Sequence, residues 1–170
     1  ESPDIYEETD LFMEAGDWLV SKLTGQLVRS SCMSGYKGLW QKKEGYLEKE
    51  LLASIHPSLE TIYETKLSGE VLPVGSFAGY LQEDMATWLG LSPNAAVAVS
   101  IIDAHSAVVG AGLSEPNELL IVVGTSSCHL LLSEEETIIP GISGVVEDGI
   151  VPGLYAYEAG QVAVGDIFNH

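Results

Sequence analysis

Beyond Lys66 the sequence contains no lysine and no arginine. Residues 67–170 carry 13 acidic side chains, whereas residues 1–66 hold all seven Lys and Arg beside 12 acids. The 170 residues together have a formal charge of −18. Nucleic acid and anionic membranes need cations to neutralise their phosphates, so neither is an expected partner. Long apolar runs are missing as well, since none approaches the roughly 18–20 residues of a membrane-spanning helix. Cysteine is scarce. Cys32 and Cys128 are isolated, with no Cys-x-x-Cys pair and no disulfide framework, which points to a reducing cytoplasm rather than a secreted fold. The histidines His56, His105, His129 and His170 show no ligand spacing among themselves or with the cysteines, so a structural zinc is not expected. A signal peptide and an initiating Met are also lacking. Starting at Glu1-Ser2-Pro3 and stopping after an apolar stretch, the chain reads as a piece of something longer.

What is present is enough apolar residue, 46%, to bury a core, with charged residues at 19%. An amphipathic helix is expected over 5–24, where Leu11, Ala15, Trp18, Leu19 and Leu23 recur at helical spacing and Gly25 takes the terminating position. Residues 26–45 read as irregular. Further helices are expected over 46–55, 58–65 and 81–89. From Ala95 the texture changes to short apolar runs bounded by turn residues, which read as strands over 95–102, 119–123, 129–132, 144–146 and 154–157. Residues 104–112 fit a small helix, and another begins within 160–170. A mostly helical segment therefore feeds a Gly-rich α/β segment, as in a two-lobed protein cut through both lobes.

Four places carry candidate chemistry. Asp103 follows the apolar run Val97-Ala98-Val99-Ser100-Ile101-Ile102 and precedes Ala104-His105-Ser106-Ala107. A carboxylate there serves as a base or metal ligand at the end of a strand, or as a helix cap, and position alone leaves these open. Gly124-Thr125-Ser126-Ser127 lies between two apolar strands, so it is the tip of a hairpin. Such a tip can hold phosphate through N–H and hydroxyl groups, although glycine and serine are also ordinary turn residues. Glu158, in Tyr155-Ala156-Tyr157-Glu158-Ala159-Gly160, reads as a carboxylate where a strand enters a helix, able to accept from ligand hydroxyls or to cap. Lys37 is a lone cation in the Gly-rich stretch Ser34-Gly35-Tyr36-Lys37-Gly38-Leu39-Trp40, and most such lysines are simply solvated.

In order, these segments resemble the FGGY family of carbohydrate kinases. The strand–Asp–small–Gly–Gly element, the Gly-Thr-Ser hairpin and the Glu-x-Gly segment follow the family's sequence, and Asp17-Trp18-Leu19 … Leu23-Thr24-Gly25 matches its "DWL…LTG" helix. The resemblance implies an α/β chain with the actin/hexokinase-type, ribonuclease-H-like fold, spanning the junction of two lobes. Residues 1–110 would be the C-terminal part of the sugar-binding lobe, and 111–170 the start of the ATP-binding lobe. Asp103 would be the catalytic base toward the sugar's terminal hydroxyl and would approach Mg²⁺ through water. Lys37 and Glu158 would bind the sugar with Asp103; Gly124, Thr125, Ser126, Gly165 and Asn169 would face ATP. His105 and Gln161 remain closer to structural. The detail of residues 32–40 and 102–105 implies L-ribulose as substrate, within L-arabinose breakdown. Another ketopentose or a pentitol is the alternative, and a non-catalytic sugar or nucleotide sensor a remoter one. A cytoplasmic location follows, with a homodimer left open.

Overall fold

A computed structural model describes residues 2–167. Helices α1 (Pro3–Glu8) and α2 (Ala15–Thr24) lead to strand β1 (Val28–Ser30) and helix α3 (Ser31–Gly38). Helix α4 (Lys49–Ile55), a 3₁₀ turn at Pro57–Leu59 and helix α5 (Ile62–Thr65) follow, then strands β2 (Glu70–Leu72) and β3 (Phe77–Tyr80). Helix α6 (Glu83–Leu89), strand β4 (Ala96–Ala98) and helix α7 (Asp103–Gly110) complete the first part. The second consists of β5 (Leu119–Val123), β6 (Ser127–Ser133), β7 (Gly144–Glu147), β8 (Tyr155–Gln161) and helix α8 (Val164–Ile167).

Several expected elements are redrawn by tertiary contacts. The helix expected over 5–24 is broken because backbone groups between α1 and α2 find other partners. Phe12 N–H donates to the Lys66 carbonyl at 2.8 Å, and Arg29 Nη2 donates to the Phe12 carbonyl at 2.9 Å. The stretch 26–45, expected to be irregular, contains β1, paired in parallel with β2, and the whole of α3. Serines and glycine make α3 a weak helix former, but Ser31, Cys32, Met33 and Ser34 are all buried, so packing overrides propensity. The strand expected over 95–102 shortens to β4, antiparallel to β3, and Asp103 opens a helix instead of ending a strand. Glu158 is likewise corrected: it lies inside β8 and not at a helix entry.

Strands β5, β6, β8 and β7 form, in that order, one antiparallel sheet. Its inner face presents Leu130, Leu132 and Ala156, which pack with Val108 of α7 and with Ile150 into a core whose members are at most 1% exposed. A smaller core joins Val20 of α2, Ala78 of β3 and Val99.

The two parts meet where α3 lies on the second sheet. A Cβ at Gly35 would fall 2.4 Å from Val146 Cγ1, so only glycine permits this approach. One residue on, the Tyr36 hydroxyl donates to the Ala156 carbonyl at 2.6 Å, and Ser31 Oγ donates to the Asp148 carbonyl at 2.8 Å. Lys42 adds an ion pair to Asp148 at 2.7 Å. Gly35→Ala should therefore destabilise the protein by about 1–3 kcal/mol, the usual cost of overpacking. Adding Val146→Ala should recover part of that loss. Chemical denaturation of the single and double variants checks this, and strict additivity would place Gly35 away from Val146.

Candidate active site around His105

Helix α7 packs on β5 and β6 and buries His105 beside Glu158 of β8, leaving 1% of that residue exposed. The ladder pairs Cys128 with Gly160 and Leu130 with Glu158, so Cys128 and Glu158 are diagonal neighbours on one face. His105 Nε2 stands 3.3 Å from Glu158 Oε2, outside good hydrogen-bond geometry, and the Cys128 thiol donates toward Glu158 Oε1 at 3.6 Å. On the other side of the ring, Cys32 Sγ is 3.2 Å from Nδ1, and the Tyr36 ring stacks obliquely with its centroid 4.5 Å away. Burial is the largest influence on His105 and holds its pKa below 6.5 despite the Glu158 charge, so the imidazole is neutral near pH 7. Burial also pushes the Cys32 thiol up to about 12 and the Cys128 thiol up to about 11.

Of the sequence-predicted charges, Glu158 touches this ring; Asp103 lies two residues before His105 on the same helix, and Lys37 one residue beyond the Tyr36 that stacks on it. Asp103 opens α7 and is exposed, and its carboxylate accepts from no described residue. Lys37 lies in the last turn of α3, where Nζ pairs with Glu14 Oε2 at 3.0 Å. It borders a cavity of about 150 Å³, together with Asp17, Arg29, Met33 and Tyr46. The Glu14 pairing was not foreseen from sequence, because 23 residues separate the two. Nor was the role of His105 as the hub of the cluster, or the presence of Cys32 and Cys128 in it: linear spacing carries no trace of a diagonal ladder pair or of a helix lying across it.

The hairpin tip forms as expected, with Gly124 N–H donating to the Ser126 carbonyl at 2.8 Å. Helix α8 folds back on it, so that Gly165 N–H donates to the Thr125 carbonyl at 3.1 Å and its missing Cβ would lie 3.4 Å from Gly124 O. The structure thus brings Gly165 to Gly124, Thr125 and Ser126. Those three are exposed, and no described residue takes the hydroxyl of Thr125 or Ser126. The tip therefore has donors to offer an anion such as a nucleotide phosphate. Asn169 lies outside the described residues, as does the end of the helix expected within 160–170. No helix among the described residues is long and apolar enough to cross a membrane.

Residues 119–170 match the family described as FGGY family of carbohydrate kinases, C-terminal domain. Along 99% of its length the chain is 55% identical to a ribulokinase of Anoxybacillus flavithermus and 55% identical to one of Geobacillus thermodenitrificans. It spans about 30% of the length of each of these relatives. A xylulose kinase from Rhodospirillum rubrum superposes with a TM-score of 0.82 at 21% identity, over 99% of this chain and 33% of that one. Residues 119–170 belong to the FGGY family of carbohydrate kinases, and the chain has the fold of these enzymes. The relatives with which it shares half its residues are ribulokinases.

Beside Lys37 the cavity holds a buried carboxyl. Asp17, 2% exposed, accepts from Ser30 N–H at 3.0 Å and from Ser100 Oγ at 3.2 Å through Oδ1, while Oδ2 has no partner. Burial is the largest influence and raises its pKa above 3.8, against the lowering by those two bonds. The folded state then holds the Asp17 proton more tightly than the unfolded state. Stability from this group is full below pH 3.8 and declines as pH rises through the folded value. Asp17→Asn mimics the protonated form, so its stability relative to the parent should improve as pH rises from 4 to 7. Denaturation at the two pH values tests this, and a pH-independent difference would place the carboxylate in a hydrated site.

Proposed function

We propose that this chain forms the middle of an ATP-dependent sugar kinase that phosphorylates the terminal hydroxyl of L-ribulose. Supporting this are the ribulokinase relatives and, above all, the position of Asp103 on the helix whose His105 Nε2 lies 3.3 Å from the Glu158 carboxylate. Residues 1–110 then close the sugar-binding lobe and 111–170 open the ATP-binding lobe, consistent with the match of residues 119–170 to a C-terminal kinase domain.

The exposed Asp103 carboxylate accepts the proton of the attacking hydroxyl, which an alcohol must lose as its oxygen bonds to phosphorus. Lys37 and Glu158 orient the sugar, the first as a donor and the second as an acceptor for hydroxyl groups. Thr125 and Ser126 offer hydroxyl and N–H donors to phosphate, with Gly124 and Gly165 keeping the approach free of side chains. Magnesium supplies charge neutralisation when bound, and the oxygen donors of Asp103 suit it through water.

In the full-length kinase carrying this segment, Asp103→Asn should lower kcat by about 10²–10⁴-fold, the usual share of a general base. Sugar and nucleotide binding should stay near normal. A variant with parental kcat would remove Asp103 from the reaction. Lys37→Met should raise KM for the sugar with a smaller change in kcat, and an unchanged KM would take Lys37 out of the site. A coupled ADP-release assay over ketopentoses and pentitols identifies the substrate; turnover of a different sugar in preference to L-ribulose would move the specificity, and no turnover with any would favour a sensor.

A further inference from the structure

Three donors of different chemistry, one each from α7, β6 and β8, meet at one place. His105 Nε2 is 3.3 Å from Glu158 Oε2, Cys128 Sγ is 3.6 Å from Glu158 Oε1, and a donor atom from each residue lies within 4.8 Å of the others. As hydrogen bonds these contacts are poor. A thiol is a weak donor, and Nε2 is left without a partner although its residue is 1% exposed. As edges of a coordination shell they suit a carboxylate that offers one oxygen to each side, Oε2 toward His105 and Oε1 toward Cys128, with one ligand atom of each residue within 4.8 Å of the others. With Zn–S near 2.3 Å and Zn–N and Zn–O near 2.0–2.1 Å, a tetrahedral centre spaces N and O by about 3.3 Å and S and O by about 3.5 Å. A thiol with an imidazole suits a zinc-class ion and not magnesium, which prefers oxygen ligands. Behind the ring, Cys32 Sγ at 3.2 Å faces Nδ1, which leaves Nε2 as the coordinating atom with an outer partner already in place.

We propose that His105 Nε2, Cys128 Sγ and the Glu158 carboxylate bind a zinc-class divalent cation, with a fourth position taken by water, and that the bound ion withdraws Glu158 from the sugar. The ion site stands on the geometry alone, while the withdrawal rests on the assignment of Glu158 to the sugar. Binding releases one proton to solvent, that of the Cys128 thiol, as its sulfur bonds to the metal. The imidazole coordinates in its neutral form, with its proton on Nδ1 facing Cys32.

The full-length kinase carrying this segment, stripped by chelator and kept in excess Mg²⁺ to fill oxygen-only sites, is titrated with Co²⁺ and then Zn²⁺. One Co²⁺ per chain should bind with a thiolate-to-metal charge-transfer band, and Zn²⁺ should displace it. Cys128→Ser should abolish the band and weaken Zn²⁺ by at least about tenfold, since even outer partners of a ligand contribute 10–100-fold. Glu158→Gln should weaken Zn²⁺ similarly and serves if the serine variant fails to fold. No charge-transfer band in the parent, or parental Zn²⁺ affinity in a folded variant, overturns the site. Zn²⁺ inhibition that rising sugar concentration relieves supports the shared Glu158. Stoichiometric Zn²⁺ binding without such competition overturns the withdrawal and the sugar contact of Glu158, and leaves the ion site in place.

Discussion

The bare backbone at Gly35 is the constraint on which the candidate site depends. It lets α3 lie against Val146 at a distance no side chain could share, and the Tyr36 hydroxyl then locks the helix to the Ala156 carbonyl. Lys37 directly follows Tyr36 on that helix, and Glu158 lies two residues beyond Ala156 on the strand it touches. A lysine-bearing helix from the first part and a glutamate-bearing strand from the second are therefore held together by a glycine and a tyrosine. Long-range register of this kind is carried by backbone approach and a buried hydroxyl, both of which tolerate little displacement.

Charge is distributed to match. The part without lysine or arginine borrows its cations across the same junction: Lys42 reaches Glu147 at 3.2 Å and Asp148 at 2.7 Å, and Lys43 reaches the Tyr155 hydroxyl at 3.0 Å. Exposed ion pairs contribute about 0–1 kcal/mol each, so these orient the two parts more than they stabilise them. Asp148 is the exception, because it is 4% exposed and its Oδ1 also accepts from Gly153 N–H at 2.7 Å. The same scarcity leaves the Gly124–Ser126 tip with neutral donors alone, which makes freedom from side chains there, at Gly124 and Gly165, the condition for any close approach by an anion.

Short apolar runs with flanking turn residues mark β5, β6, β7 and β8 from the residues themselves, and small residues after Asp103 mark α7. Motif order revealed the kinase family although each motif alone is ordinary. What stayed hidden depends on partners distant in sequence. Helix α3 has the composition of a loop and exists because its serines and Cys32 are buried. Strands β2 and β3 are short and pair across the chain, β2 with β1 more than 40 residues earlier. Glu158 reads from the sequence as the point where a strand enters a helix, whereas the strand continues to Gln161 under the pairing with Ser127.

Glu158 shows why a site must be read from its surroundings and not from a single residue type. A carboxylate has about four lone-pair positions. One oxygen faces His105 and the other faces Cys128, and its side chain retains 27% exposure. A purely structural carboxylate at this depth would have its positions filled by strong donors, as Asp148 does with Gly153 and Lys42. Glu158 instead has a thiol, which is a weak donor, and an imidazole kept neutral by burial. Weak inner partners leave its acceptor capacity unspent on the exposed side. That imbalance suits it to an incoming hydroxyl or cation, and it exists only because α7 buries His105 against the strand.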